Sequence, residues 1–379
     1  MRPVARQRLD HIDGLRGIAA QMVVFGHWAE YVGHVVPNPA LHAGLTALFR
    51  EGFNTGRLGV VAFFCISGFV IPFSFSGTHP LRSFIVSRIF RLYPAYWVSI
   101  AAAALLFPLI AGIHFDALQV AANLTMVQPL LRQPDMLGVY WTLFIELIFY
   151  GICFLAFAGR LLHSARFNLA MMAGFLGLAL LIGLYRWLHP TSGLPVGLPT
   201  YLAAMHFGTL ARLALIERDR LAARLFWPAA AMLAICVTVA NTLAYLYARN
   251  ELVGWMAANT GYLAGLALFL GCAARGWFRG RFLAWLGLLS YSVYLFHPIF
   301  MQLNVALWPT MDWRAGIALL TPLIFVGSLV VAWAVQRFVE APAVRAGRAI
   351  NRRFDALHVR RRPAEASEPL PEASPMHGG

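Results

Sequence analysis

Roughly ten stretches of about 20 mostly apolar residues, separated by short polar connectors, run through the 379-residue sequence. A stretch of that length spans the hydrocarbon core of a bilayer as an α-helix. The expected spans fall at about 12–34, 58–76, 94–113, 139–158, 167–188, 199–216, 225–247, 257–274, 283–306 and 314–336. Composition agrees, because 60% hydrophobic against 12% charged residues is too apolar for a soluble core of this size. The expected fold class is all-α: a polytopic membrane bundle of about ten transmembrane helices around an internal cavity.

An even number of spans puts both termini on one side, and the arginines say which, since positive charge is retained in cytoplasmic loops and the chain has no lysine. With the N-terminus inside, Arg2, Arg6, Arg8, Arg82, Arg88, Arg91, Arg160 and Arg166 lie in cytoplasmic segments, as do the arginines of later inner loops and the tail. Arg50, Arg57, Arg132, Arg186, Arg249 and Arg314 fall outside. The expected location is a bacterial inner membrane, multi-pass, with both termini cytoplasmic. The net charge of +14 is spread over alternate loops instead of one stripe, so topology accounts for it and nucleic acid is not an expected partner. The first apolar stretch is of full spanning length and carries Arg16 and His27, so it is expected to stay as the first helix. Residues 1–342 read as an integral-membrane domain, and 343–379 as a basic and then disordered cytoplasmic tail whose end lacks the apolar content to fold. Cys65, Cys153, Cys236 and Cys272 all lie inside expected spans, without paired spacing for a metal or a disulfide, and read as core packing.

Ionisable side chains within a span cost roughly 2.5–3.5 kcal/mol each on insertion scales, so each asks for a reason. The first span carries Asp13, Arg16 and His27. Eleven residues separate Arg16 from His27, which leaves them about 20° apart around the helix and about 16 Å apart along it. One helix face thus links the inner surface to the outer half of the bilayer. Glu146, His297 and His206 fall about seven to ten residues from the outer ends of their spans, a depth similar to that of His27. An imidazole accepts a hydroxyl proton near neutral pH, which suits His27 to general-base work, and Glu146 at the same depth can orient it. Arg88 and Arg91, in Ser87-Arg88-Ile89-Phe90-Arg91-Leu92-Tyr93-Pro94, offer charge-assisted donors matched to the phosphates of a carrier such as coenzyme A. Each feature has a plainer reading. Arg88 and Arg91 also obey inner-loop charge retention, and His297 and His206 can be satisfied core residues. Ser67 and Gly68 suit a close helix crossing, and Trp141 an interfacial anchor.

In order, Asp13-Gly14-Leu15-Arg16-Gly17 with His27, Gly56-Arg57-Leu58-Gly59-Val60, Phe63-Phe64-Cys65-Ile66-Ser67-Gly68-Phe69, Arg88 with Arg91, Trp141 to Glu146, Ser290 to His297, and Glu340-Ala341-Pro342 resemble the motifs of the membrane-bound acyltransferase-3 family over about residues 8–342. The resemblance implies a transferase moving an acyl group, commonly acetyl, from cytoplasmic acyl-CoA to a hydroxyl of an exported or cell-surface glycan. It implies essential roles for His27 and Arg16 and a donor-binding role for Arg88 and Arg91. Acyl-CoA is then a co-substrate and not a resident cofactor, and the expected partners are the bilayer and a glycan or lipid-linked glycan acceptor. Val61 stands where many members have Asp, and Thr142 where Ser is usual. His27 either deprotonates the acceptor or carries the acyl group transiently, and Arg16 either stabilises developing charge or holds the donor. Glu146 completes the expected catalytic set, while His297, Trp141 and Ser67 are candidates for the acceptor side or the cavity wall. Two rival readings are an acyltransferase acting on a small molecule such as a macrolide, and a proton-coupled transporter, which buried His, Glu and Arg also suit.

Overall fold

The computed structural model describes residues 10–248 and 254–360, and their regular structure is entirely helical. The α-helices are α1 (Asp10–Val35), α2 (Pro39–Leu45), α3 (Thr55–Val70), α4 (Pro80–Ala111), α5 (Ala117–Leu124), α6 (Trp141–Ala158), α7 (Ala165–Leu188), α8 (Gly197–Leu215), α9 (Arg220–Tyr245), α10 (Trp255–Arg275), α11 (Arg281–Leu307), α12 (Trp313–Pro322), α13 (Ser328–Val335) and α14 (Ala341–Arg360). Several begin where the sequence offers a capping oxygen. Asn54 accepts from the Arg57 N–H at 2.6 Å, Asp116 from Gln119 at 2.6 Å and Asp219 from Ala222 at 2.7 Å.

Among the described residues, eight helical stretches are long and apolar enough to cross a membrane, and the protein is a multi-pass membrane protein. Two expected spans, 12–34 and 199–216, coincide with α1 and α8, which are not among those eight. Both carry more polar side chains because both run through protein instead of lipid. In α8 fifteen of nineteen residues are buried, Thr200, His206 and Thr209 included. The helices that do face lipid turn Leu109, Leu155, Leu181 and Ile235 outward.

The crossings are made by glycines. α1 packs against α3 and α11. A Cβ at Gly287 would overlap the Asp13 carbonyl oxygen, so α11 meets α1 backbone to backbone. Likewise a Cβ at Gly68 would overlap the Met205 carbonyl, and one at Gly208 the Cys65 carbonyl. The close crossing expected at Ser67-Gly68 is thus the α3–α8 contact.

The last span passes without a break from α12 through a wide turn at Leu323–Gly327, α13 and a second wide turn at Gln336–Glu340 into α14. Pro342 has no N–H to return to the carbonyl of Phe338, and the chain widens to a π-turn just before it. α14 covers the basic start of the expected tail. The stretch expected to be disordered lies largely outside the described residues.

Candidate active site

A cavity of 780 Å³ opens between α1, α3, α4, α6, α11 and α14. Arg16 projects into it from α1, with its side chain 26% exposed and 3.9 Å from Asp13. Arg88 and Arg91 enter one turn apart from α4. The Arg88 guanidinium lies over the rings of Phe84 and Tyr150, each at 5.6 Å. Arg91 lies 3.4 Å from the Glu340 carboxylate, which is 1% exposed and also accepts a hydrogen bond from Ser292. The π-turn before Pro342 carries Glu340, and the closing Glu-Ala-Pro motif thereby fixes one arginine of the cavity. Glu340→Ala is expected to destabilise the protein by about 3 kcal/mol, the low end for breaking a buried pair because Arg91 keeps some solvent. Thermal unfolding of the purified variant checks this, and an unchanged midpoint would contradict it.

Glu146 also lines this cavity, and it accepts hydrogen bonds from Tyr150 at 2.9 Å and Ser67 at 3.3 Å. That corrects its expected depth. Ser67 lies eleven residues along α3 from Gly56, and Gly56 packs against Gly26 beside His27, so Glu146 sits about 16 Å from the level of His27. The physical reason is the connection before α6. Met126, Gln128, Met136, Leu137, Val139 and Tyr140 are all buried, and the Tyr140 hydroxyl meets Ser99 at 2.8 Å. Ser99 is twelve residues, about 18 Å, from the end of α4 at Ala111, so the chain dips into the bundle before α6 begins. Counting from the end of an apolar stretch misses such a dip. Glu146 shares its site with Arg16, Arg88 and Arg91 instead of orienting His27.

The carboxylate beside His27 is Glu30, one turn on, with Oε2 4.0 Å from Nδ1. Asn54 donates to Glu30 at 3.3 Å. The His27 side chain is 44% exposed although it lies within the bundle, as expected of a group lining an opening. Its ring stacks on the buried His297 with centroids 5.4 Å apart. His297 Nδ1 lies 3.2 Å from the Val293 carbonyl, which can only accept, so Nδ1 carries the proton and Nε2 is the basic nitrogen. That Nε2 has no hydrogen-bond partner among the described residues. Glu30 is the residue that the sequence reading missed, although a His-x-x-Glu spacing on one helix was there to find it.

Tyr294 stands between the two groups. It lines the cavity, packs against His297 at 6.0 Å and Phe63 at 6.1 Å, and its hydroxyl bonds Thr142 at 2.7 Å and the Val139 carbonyl at 3.0 Å. Two other candidates lie elsewhere. His206 meets Asn168 at 3.0 Å through Nδ1 inside a cage of Phe149, Phe167 and Phe175, away from the cavity, and its buried Nε2 has no hydrogen-bond partner among the described residues. Trp141 packs on Tyr201 at 5.5 Å and does not line the cavity.

Residues 9–337 match the acyltransferase-3 family model, described as an acyltransferase domain. Nodulation protein 10 of Rhizobium leguminosarum bv. viciae is 27% identical over 362 residues, covering 89% of this chain and 93% of that protein. No solved structure matches the chain. With the match running over nearly all of the membrane region, this multi-pass membrane protein belongs to the acyltransferase-3 family and is an acyltransferase of the class that transfers groups other than aminoacyl groups.

Proposed function

We propose that the protein moves an acyl group, acetyl in the first instance, from cytoplasmic acyl-CoA to a hydroxyl of an exported or cell-surface glycan. The observation that carries this reading is the placement of Arg16, Arg88 and Arg91 in one cavity whose wall includes Tyr294, the residue packed against His297. Guanidinium groups suit the phosphates of coenzyme A, and a flexible thioester arm can extend from them toward the histidines. The arginine bias of alternate loops supports a cytoplasmic position for both termini, an inner-membrane location, and therefore a cytosolic donor.

His27 takes the proton of the acceptor hydroxyl as the oxygen attacks the thioester carbonyl. The C–O bond forms, the C–S bond breaks, and the thiol of coenzyme A leaves with a proton. Glu30 stabilises the imidazolium in this scheme, as carboxylates do in hydrolase triads. Arg16, with Glu146 opposite, holds the donor nearer the inner surface. Mass spectrometry of surface polysaccharide from wild-type and deletion strains tests the acceptor. An acetyl increment present only in the wild type supports a glycan, and identical spectra would remove it from the proposal.

A further inference from the structure

The segment after the last span was expected to carry only topological charge, yet α14 forms one wall of the cavity. Val344, Arg348, Asn351, Arg352 and Asp355 all line it. Their spacing of four, three, one and three residues draws a single stripe along the helix, whereas Arg353 lies on roughly the opposite side at about 100° per residue. The helix is fastened across the cavity mouth by contacts distant in sequence. Asp355 accepts from Thr78 at 2.5 Å and from Arg82 at 3.1 Å, and Asn351 donates to the Ser83 carbonyl at 3.3 Å. Phe354 lies under the Arg82 guanidinium at 4.6 Å, and Gly347 lets the helix close on Phe90.

The charge balance of the lining is informative. Arg16, Arg88, Arg91, Arg348 and Arg352 face Asp13, Glu146 and Asp355, five cations against three anions, for a net of +2. Asp13 is spent on Arg16, and Asp355 is held by Thr78 and Arg82. No acidic side chain of the lining is therefore paired with Arg348 or Arg352 in the contacts above, and both guanidinium groups are exposed at the mouth. Two adjacent guanidinium groups one turn apart at the rim of a basic cavity have the chemistry of a phosphate clamp.

We propose that α14 completes the donor site, with Arg348 and Arg352 binding the phosphate at the outermost end of the phosphorylated donor, the 3′-phosphate of coenzyme A, and with Asp355 latching the helix over the mouth. This rests on the coenzyme A reading above and extends it to residues that the family motifs do not contain. The same chemistry would also hold a lipid headgroup phosphate, so the test separates the two sources.

Coenzyme A and dephospho-coenzyme A are titrated into the full-length protein in nanodiscs of zwitterionic lipid and, in parallel, in nanodiscs containing anionic lipid, using wild type, R348Q, R352Q, the double variant and R353Q. Wild type is expected to prefer coenzyme A. The double variant is expected to lose about tenfold or more in affinity for coenzyme A and to bind the two ligands alike, since a charge-assisted bond to the 3′-phosphate is gone. R353Q is expected to match the wild type. The proposal is overturned if the double variant keeps the preference, or if R353Q loses as much. It is equally overturned if the variants differ from wild type only in nanodiscs containing anionic lipid, which would assign the arginines to headgroups. Failure of the wild type to bind either ligand would instead remove the coenzyme A donor itself, and this clamp with it.

Discussion

Replacing His27 by alanine is expected to lower acyl transfer by about 10²- to 10⁴-fold, the range for losing a positioned general base. Membrane abundance and coenzyme A affinity are expected to stay at wild-type levels. The imidazole is 44% exposed, so its loss removes little core packing, while Arg16 lies about 16 Å away along α1 and Arg88 and Arg91 enter the cavity from α4. Turnover of acetyl-CoA by the purified variant, alongside a binding titration, checks both halves. A fall in affinity as large as the fall in rate would instead assign His27 to donor binding. Both chemical routes open to His27 predict this loss, and a denaturing quench with labelled acetyl-CoA separates them. Label retained on the wild-type chain but absent from H27A marks a covalent acyl-histidine, and label on neither marks a general base.

The second large effect is on assembly. Gly68→Leu is expected to cost more than about 3 kcal/mol, beyond ordinary overpacking, because the new side chain would have to displace the backbone of Met205 and not a flexible side chain. The α3–α8 crossing carries more than itself. Ser67, next in sequence, donates to Glu146, and Thr209 on α8 donates to the Gly68 carbonyl at 3.0 Å. Loss of that contact therefore removes a cavity wall as well as stability. Size-exclusion profiles and thermal midpoints of G68L measure it, and a monodisperse, wild-type-like variant would contradict the account of the crossing.

How much of this was legible in the sequence depends on whether a feature is local. The all-α class and the places of most spanning helices follow from apolar length alone, a property of each segment taken by itself, although α4 begins at Pro80, well before the start expected at about 94. Helices do form where spans were expected at 12–34 and 199–216, but α1 and α8 are not among the eight stretches apolar enough to cross a membrane, and the burial that tolerates the polar residues of α8 is a tertiary fact. The face shared by Arg16 and His27 follows from helical geometry. His27 and His297 do meet, as matching depths suggested. Glu146 does not join them, because the buried connection before α6 breaks the link between position in a span and depth. The role of Glu340 was out of reach for a different reason: its partners Ser292 and Arg91 lie far away in sequence. The same holds for α14, whose latch joins Asp355 to Thr78 across 277 residues. Propensity and charge read α14 as a tail, and only the packed structure makes it a wall.

The central claim is that a thioester is consumed, and the acyl group passed on, at a site that requires His27. The most direct measurement is the release of free thiol from acetyl-CoA by the purified protein in lipid nanodiscs, with polysaccharide as acceptor, run beside H27A. The account predicts thiol release in step with acetyl incorporated into the polysaccharide for the wild type, and neither for H27A. Equal turnover by H27A would contradict the role of the histidine, and proton-driven flux across liposomes without any loss of thioester would contradict the transferase reading of the site.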